Sequence, residues 1–156
     1  MANPIPAGFT AVTPYLTIEG AAQAIEFYKK AFGAEEIARL PGPDGSVAHA
    51  EIRIGGAAIM LGEACPERGA VGPKALNGSP VSIMLYVSDV DATAAQAQRA
   101  GAKVTMPVAD MFWGDRYGTL EDPFGHKWGV ATHVRDVTEA EMAEAMKKMA
   151  AQPLPA

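Results

Sequence analysis

Val12-Thr13-Pro14-Tyr15-Leu16-Thr17-Ile18 and Val81-Ser82-Ile83-Met84-Leu85-Tyr86-Val87 are two alternating strand patterns set 69 residues apart, and reading them as copies decides the fold. A helical segment follows each. The first, Gly20 to Phe32, brings Ala21, Ile25, Tyr28 and Phe32 onto one face and stops before Gly33. The second, Asp89 to Ala100, opens on an aspartate suited to an N-cap and stops at Gly101. Three strand-like runs come next in each half. They are Glu35 to Leu40, Val47 to Ile54 and Ala57 to Gly62, then Lys103 to Pro107, Arg116 to Glu121 and His126 to Thr132. Pro41-Gly42-Pro43-Asp44-Gly45 and Asp122-Pro123-Phe124-Gly125 supply turns. The chain therefore reads as an α+β fold of two tandem β-α-β-β-β modules, 9–64 and 80–135, joined by a flexible Pro- and Gly-rich linker at 65–79. A last helix is expected over 136–150, with Thr138 and Glu141 placed for a capping box and Met142, Met146 and Met149 in an apolar stripe. The tail Pro153-Leu154-Pro155-Ala156 is expected to fray.

One half of about 55 residues is marginal by itself. Two such sheets side by side make a curved mixed sheet, with helices on the convex side and a concave pocket where a ligand would sit. Alternation then assigns faces. Val12, Leu16 and Ile18 are expected on the helix side, with Thr13, Tyr15 and Thr17 in the hollow. Likewise Val81, Ile83, Leu85 and Val87 pack inward, while Ser82, Met84 and Tyr86 line the hollow. Ala48, Ala50, Ile52 and Ile54 form an apolar set, which turns His49, Glu51 and Arg53 to the hollow.

Composition narrows the function classes. The 156 residues are 49% hydrophobic and 20% charged, an ordinary folded composition. The net charge of −5 and the lack of a basic stripe argue against a nucleic-acid partner. No apolar run is long enough for a membrane span, and MANPIPAGFT does not read as a secretory signal. The single cysteine, Cys65, excludes an internal disulfide and a multi-cysteine metal site, so a reducing, cytoplasmic setting is expected.

Two segments carry chemistry. Three ionisable residues on one strand face are either a solvated, mutually bonded row or a working site with Glu51 as base or ligand and His49 beside it. Met111-Phe112-Trp113-Gly114-Asp115-Arg116-Tyr117 is either a loop whose aromatics cap the core or a rim of Trp113 and Arg116 above the hollow.

Ala24-Ile25-Glu26-Phe27-Tyr28, Val87-Ser88-Asp89-Val90-Asp91 and Glu121-Asp122-Pro123-Phe124-Gly125-His126-Lys127-Trp128 are three further phrases of note. With the duplicated pattern they resemble the vicinal oxygen chelate superfamily, which holds glyoxalase I, bleomycin-resistance proteins and extradiol dioxygenases. Pro14-Tyr15-Leu16, His49-Ala50-Glu51-Ile52-Arg53-Ile54-Gly55 and the 111–117 run are similar to the PhnB-like branch. The resemblance implies metal-ligand places at Thr13, Met60, Ser82 and Gly129, and none of these residue types suits them. A displaced metal site at His49 and Glu51 would have only two ligands. The expectation is a metal-free protein without cofactor that binds a small molecule through Thr13, Tyr15, His49, Glu51, Met60, Met84, Tyr86, Trp113 and Arg116. The alternative is a lyase- or isomerase-type enzyme with Glu51 as general base. A homodimer is expected, because open strand edges and the methionine stripe invite a partner.

Overall fold

The strands of the protein, a computed structural model that describes residues 2–151, form two four-stranded mixed sheets. The 153–156 tail lies outside the described residues. The elements run β1 (Tyr15–Ile18), α1 (Ala21–Phe32), β2 (Glu35–Pro41), β3 (Val47–Ile54), β4 (Ala57–Glu63), β5 (Ser82–Tyr86), α2 (Val90–Ala100), β6 (Lys103–Asp110), β7 (Asp115–Glu121), β8 (Lys127–His133) and α3 (Glu139–Ala150). The sheet orders are β1-β4-β3-β2 and β5-β8-β7-β6. In each, the first strand runs parallel to the last of its module and the other pairs are antiparallel. The α+β architecture of two β-α-β-β-β units is thus present.

The helices share one core. α1 and α2 pack on each other and on the same side of both sheets, and residues of both modules join in a single buried cluster. Aromatic contacts cross between the modules: Phe32 meets Trp128 at 4.7 Å and Phe27 meets Phe124 at 6.1 Å between ring centres. Asp122, 4% exposed, sits at the centre of this contact. Its carboxylate accepts from the Tyr28 hydroxyl at 2.7 Å, the Trp128 indole at 3.0 Å and the backbone N–H groups of Phe124 and His126 at 2.9 Å each. Four donors make a buried carboxylate tolerable. Burial, then the nearby Asp122 charge, raises the Tyr28 hydroxyl well above its ordinary pKa.

Helix ends follow their local chemistry. Gly20, at φ 89°, opens α1 without a side chain to cap it. The Glu63 carboxylate at the end of β4 does so instead, accepting from the Gly20 and Ala21 N–H groups at 2.7 and 2.9 Å. Asp89 caps α2 through the Ala92 N–H, and Thr138 and Glu141 form the expected capping box on α3.

Some expected facings change. Val12 is 84% exposed and precedes β1 together with Thr13. Pro14 has no N–H to offer the ladder, so pairing begins after it. Val81 is likewise exposed and outside β5, next to Pro80. In β3, Leu40 pairs with His49 but Pro41 with Val47, and this bulge turns Val47 into the core and leaves Ala48 exposed. β7 begins at Asp115, one residue before the strand start expected at Arg116, so the last three residues of the 111–117 run lie on a strand. The 65–79 linker is not a loose tether: it holds a short 3-10 turn at Pro66–Arg68 and buries Gly72 and Pro73. In the methionine stripe of α3, Met142 is half-buried and Met146 and Met149 are exposed, and no α3 residue is fully buried among the described residues.

Candidate functional site

Alternation leaves a helix-free face on each sheet. On the first, Tyr15 of β1 and Met60 of β4 are register partners, and Met60 is in turn paired with Glu51 of β3. Tyr15 extends across β4. Its hydroxyl reaches His49 Nδ1 at 3.0 Å, and His49 Nε2 lies 3.3 Å from Glu51 Oε1. The crossing passes over Gly62, where a Cβ would stand 3.1 Å from the Tyr15 oxygen and 2.8 Å from the Ala48 carbonyl. Both imidazole bonds are made when Nε2 carries the proton and Nδ1 accepts from the phenol. Tyr15, His49, Glu51 and Met60 thus come together. Arg53 follows Glu51 on the same face, half-buried.

On the second sheet the centre is Asp115, 4% exposed. It accepts from the Tyr86 hydroxyl at 2.9 Å and the Trp113 indole at 3.2 Å, while His133 Nδ1 donates to its other oxygen at 2.8 Å. His133 Nε2 lies 3.1 Å from Asp136 Oδ1. Burial pushes the Asp115 carboxyl up, yet the bonds from His133, Tyr86 and Trp113 together hold it below its ordinary value. The bonds to Asp115 and then Asp136 raise His133. The bond to Asp115 raises Tyr86. Asp115 therefore fixes the two aromatics that the sequence singled out, Tyr86 and Trp113. Trp113 also packs edge-on to Tyr117 at 5.8 Å.

β1 and β5 are edge strands, and the seam between the sheets holds a groove of about 490 Å³. Pro14, Tyr15, Val81, Ser82, Met84 and Lys127 are among its lining residues. The His126 ring lies across the seam, with Nε2 3.1 Å from the Thr17 carbonyl.

Two expected site residues lie elsewhere. Thr13 is off the strand, and its hydroxyl donates to the Thr10 carbonyl at 3.0 Å. Arg116 faces the helix side, bound by Asp91 of α2 at 2.6 and 2.7 Å and by Asp110 at 3.1 Å. It shares that face with Leu120, two pairs along β7, so it is no part of a rim over the hollow. Sequence reasoning named Asp115 and Tyr117 only as members of the 111–117 run, without their roles, and gave no site role to His133 or Gly62. Stepping by twos from Leu120 separates Asp115, Tyr117 and Thr119 from Arg116, and that signal was present.

This duplicated β-α-β-β-β fold, with a helix-free face on each sheet, defines a class of α+β architecture. Residues 11–130 match the model of the Glyoxalase/Bleomycin resistance protein/Dioxygenase superfamily, and the chain belongs to it. It is 46% identical over 139 residues to an uncharacterized protein of Mycobacterium bovis, Mb0911c, covering 87% of this chain and 91% of that one. The solved structure of the Arabidopsis thaliana product At5g48480 is 30% identical with a TM-score of 0.66, over 79% of this chain and 98% of that chain. A PhnB protein from Bacillus cereus, at 19% identity and TM-score 0.62 over 79% of this chain and 99% of that chain, shares the fold.

The metal that the superfamily's enzymes use does not suit the residues here. Thr13 is off its strand, and Met60, Ser82 and Gly129 offer no imidazole or carboxylate. A Cβ at Gly129 would stand 2.7 Å from Met84 Sδ and 2.9 Å from the Tyr117 ring, so those side chains fill the place a carboxylate ligand would need. Among the described residues, no group of three or more His, Cys, Asp and Glu is arranged to hold a metal, and His49 and Glu51 have no third such neighbour.

Proposed function

We propose that the protein binds a flat or amphipathic small molecule, without a metal, in the seam groove and on the adjoining helix-free faces. The observation that carries this is the groove of about 490 Å³ lined by the open Tyr15 and Met84, 54% and 45% exposed, with Tyr86, 59% exposed, two residues beyond Met84 on the same strand face. Such surface left open on a folded chain favours a ligand that covers it. Trp113, bonded to the same Asp115 oxygen as Tyr86, extends this surface along the second sheet. A homodimer fits the same picture, because Met146 and Met149 of α3 are exposed and β2 and β6 are the outer sheet edges.

A thermal-shift screen of small aromatic and amphipathic compounds, followed by titration, tests the reading. A hit is expected to change Trp113 fluorescence and to spare Trp128, which is 1% exposed in the core. Trp113→Ala is expected to weaken binding by about 1–3 kcal/mol without unfolding. A hit that binds wild type and Trp113→Ala equally well would overturn the site, and a tightly held transition metal in the purified protein would overturn the metal-free part.

The Tyr15–His49–Glu51 chain favours a second reading, an enzyme of the lyase or isomerase kind. Glu51→Gln separates the two. A binder keeps a weakened pocket, whereas an enzyme keeps binding and loses turnover.

A further inference from the structure

We propose that the reactive atom on the first sheet is the Tyr15 hydroxyl oxygen, an acid–base group that exchanges its proton with His49 while Glu51 supports the imidazole. The inference goes beyond the binding reading and also shifts the working role away from Glu51. Its first support is connectivity. The phenol reaches His49 Nδ1 at 3.0 Å, and His49 Nε2 is 3.3 Å from Glu51 Oε1, so a carboxylate backs an imidazole that backs a hydroxyl. Exposure is the second. Tyr15 is 54% exposed, while the side chains of His49 and Glu51 are 25% and 22% exposed, so Tyr15 is the most open member of the chain. Construction is the third. The crossing exists because Gly62 of β4 places no side chain beneath the phenol, which lets the hydroxyl pass from β1 to His49 on β3.

The substrate class is a small molecule with an acidic C–H or O–H hydrogen. That hydrogen moves to the Tyr15 oxygen as the phenol's own proton moves to His49 Nδ1. The imidazolium so formed donates its Nε2–H to Glu51, and the substrate is left as the anion. In the reverse direction the same atoms return the proton, so no other reactant is needed. Tyr15 is the catalytic residue, and His49 and Glu51 are positioning residues that act through it.

The molecule contains its own control. Tyr86 is as open as Tyr15, at 59%, but donates to Asp115, whose oxygens already accept from His133 and Trp113. A carboxylate so occupied, and held below its ordinary value, is a poor proton acceptor.

Benzenesulfonyl fluoride tests the proposal without knowledge of the substrate. The tyrosine oxygen bonds to sulfur, the S–F bond breaks, fluoride leaves, and the phenol proton passes to its base. Peptide mass spectrometry reads the labelling rate of each tyrosine. Tyr15 is expected to react at least about tenfold faster than Tyr86, a threshold set below the roughly 10²–10⁴-fold of full base assistance. His49→Ala is expected to bring Tyr15 down to the Tyr86 rate, free imidazole to restore it, and Glu51→Gln to fall between. Rescue by imidazole is a readout that a purely structural histidine would not give. Equal rates at Tyr15 and Tyr86, an unchanged rate in His49→Ala, or failure of imidazole to restore it would overturn the proposal. Should His49→Ala not fold, the wild-type rate ratio and Glu51→Gln decide. Failure here leaves the Trp113 titration untouched, so the two readings fall separately.

Discussion

His133 stands between two carboxylates, Asp115 at 2.8 Å and Asp136 at 3.1 Å, and this joins the end of β8 to the turn leading into α3. The bond to Asp115, then that to Asp136, raises its folded pKa. A raised folded value means stability that is complete below the unfolded histidine value of about 6.5 and lost as pH rises through the folded one. Wild type is therefore expected to exceed His133→Gln in denaturant midpoint at about pH 5.5 and to lose that advantage by about pH 9. A gap between the two that is constant with pH would show that the imidazolium has no part in it. Residues of this kind were only half legible in the sequence. Alternation put His49 and Glu51 on one face correctly, because β3 is regular beyond its bulge. It could not put His133 opposite Asp115, since that depends on the pairing register of two strands. Arg116 was misread because Gly114 suggested a loop, although the strand begins one residue later.

At the scale of elements, α1 shows what a sequence pattern holds and what it omits. The apolar spacing and the flanking glycines mark the helix well. Its cap comes from Glu63, more than 40 residues away, on a neighbouring strand. A carboxylate across two free N–H groups at a helix start contributes both hydrogen bonds and a favourable dipole contact. Glu63→Ala is expected to cost about 1–2 kcal/mol in chemical denaturation, with Glu63→Gln recovering about half. No loss in Glu63→Ala would mean that solvent serves those N–H groups equally well. α2 and α3, by contrast, carry their caps within their own sequence at Asp89 and Thr138, and both were read directly. The strand starts were overextended where Pro14 and Pro80 intervene. Proline's missing donor is a local signal, and the alternating run of apolar residues outweighed it.

For the molecule as a whole, the duplication was legible because two modules must repeat the same alternation and the same helix to bury anything. The cavity was not, because its position at the seam depends on how two sheets meet. The exposed Met146 and Met149 of α3 and the outer strand edges lead to the expectation of a dimer in solution. Light scattering across micromolar concentrations is expected to give twice the chain mass, and a single-chain mass throughout would rule the dimer out. The two modules also look interchangeable by pattern, but Asp122 makes them unequal partners. Its hydrogen-bonding phenol, Tyr28, belongs to the other module, 94 residues earlier. A grafted second module keeps this bond only if it brings an acceptor to the place of Asp122, and a grafted first module only if it brings a phenol to the place of Tyr28. What began as repetition has become mutual dependence, so that drift at either position is constrained by a residue most of a chain length away.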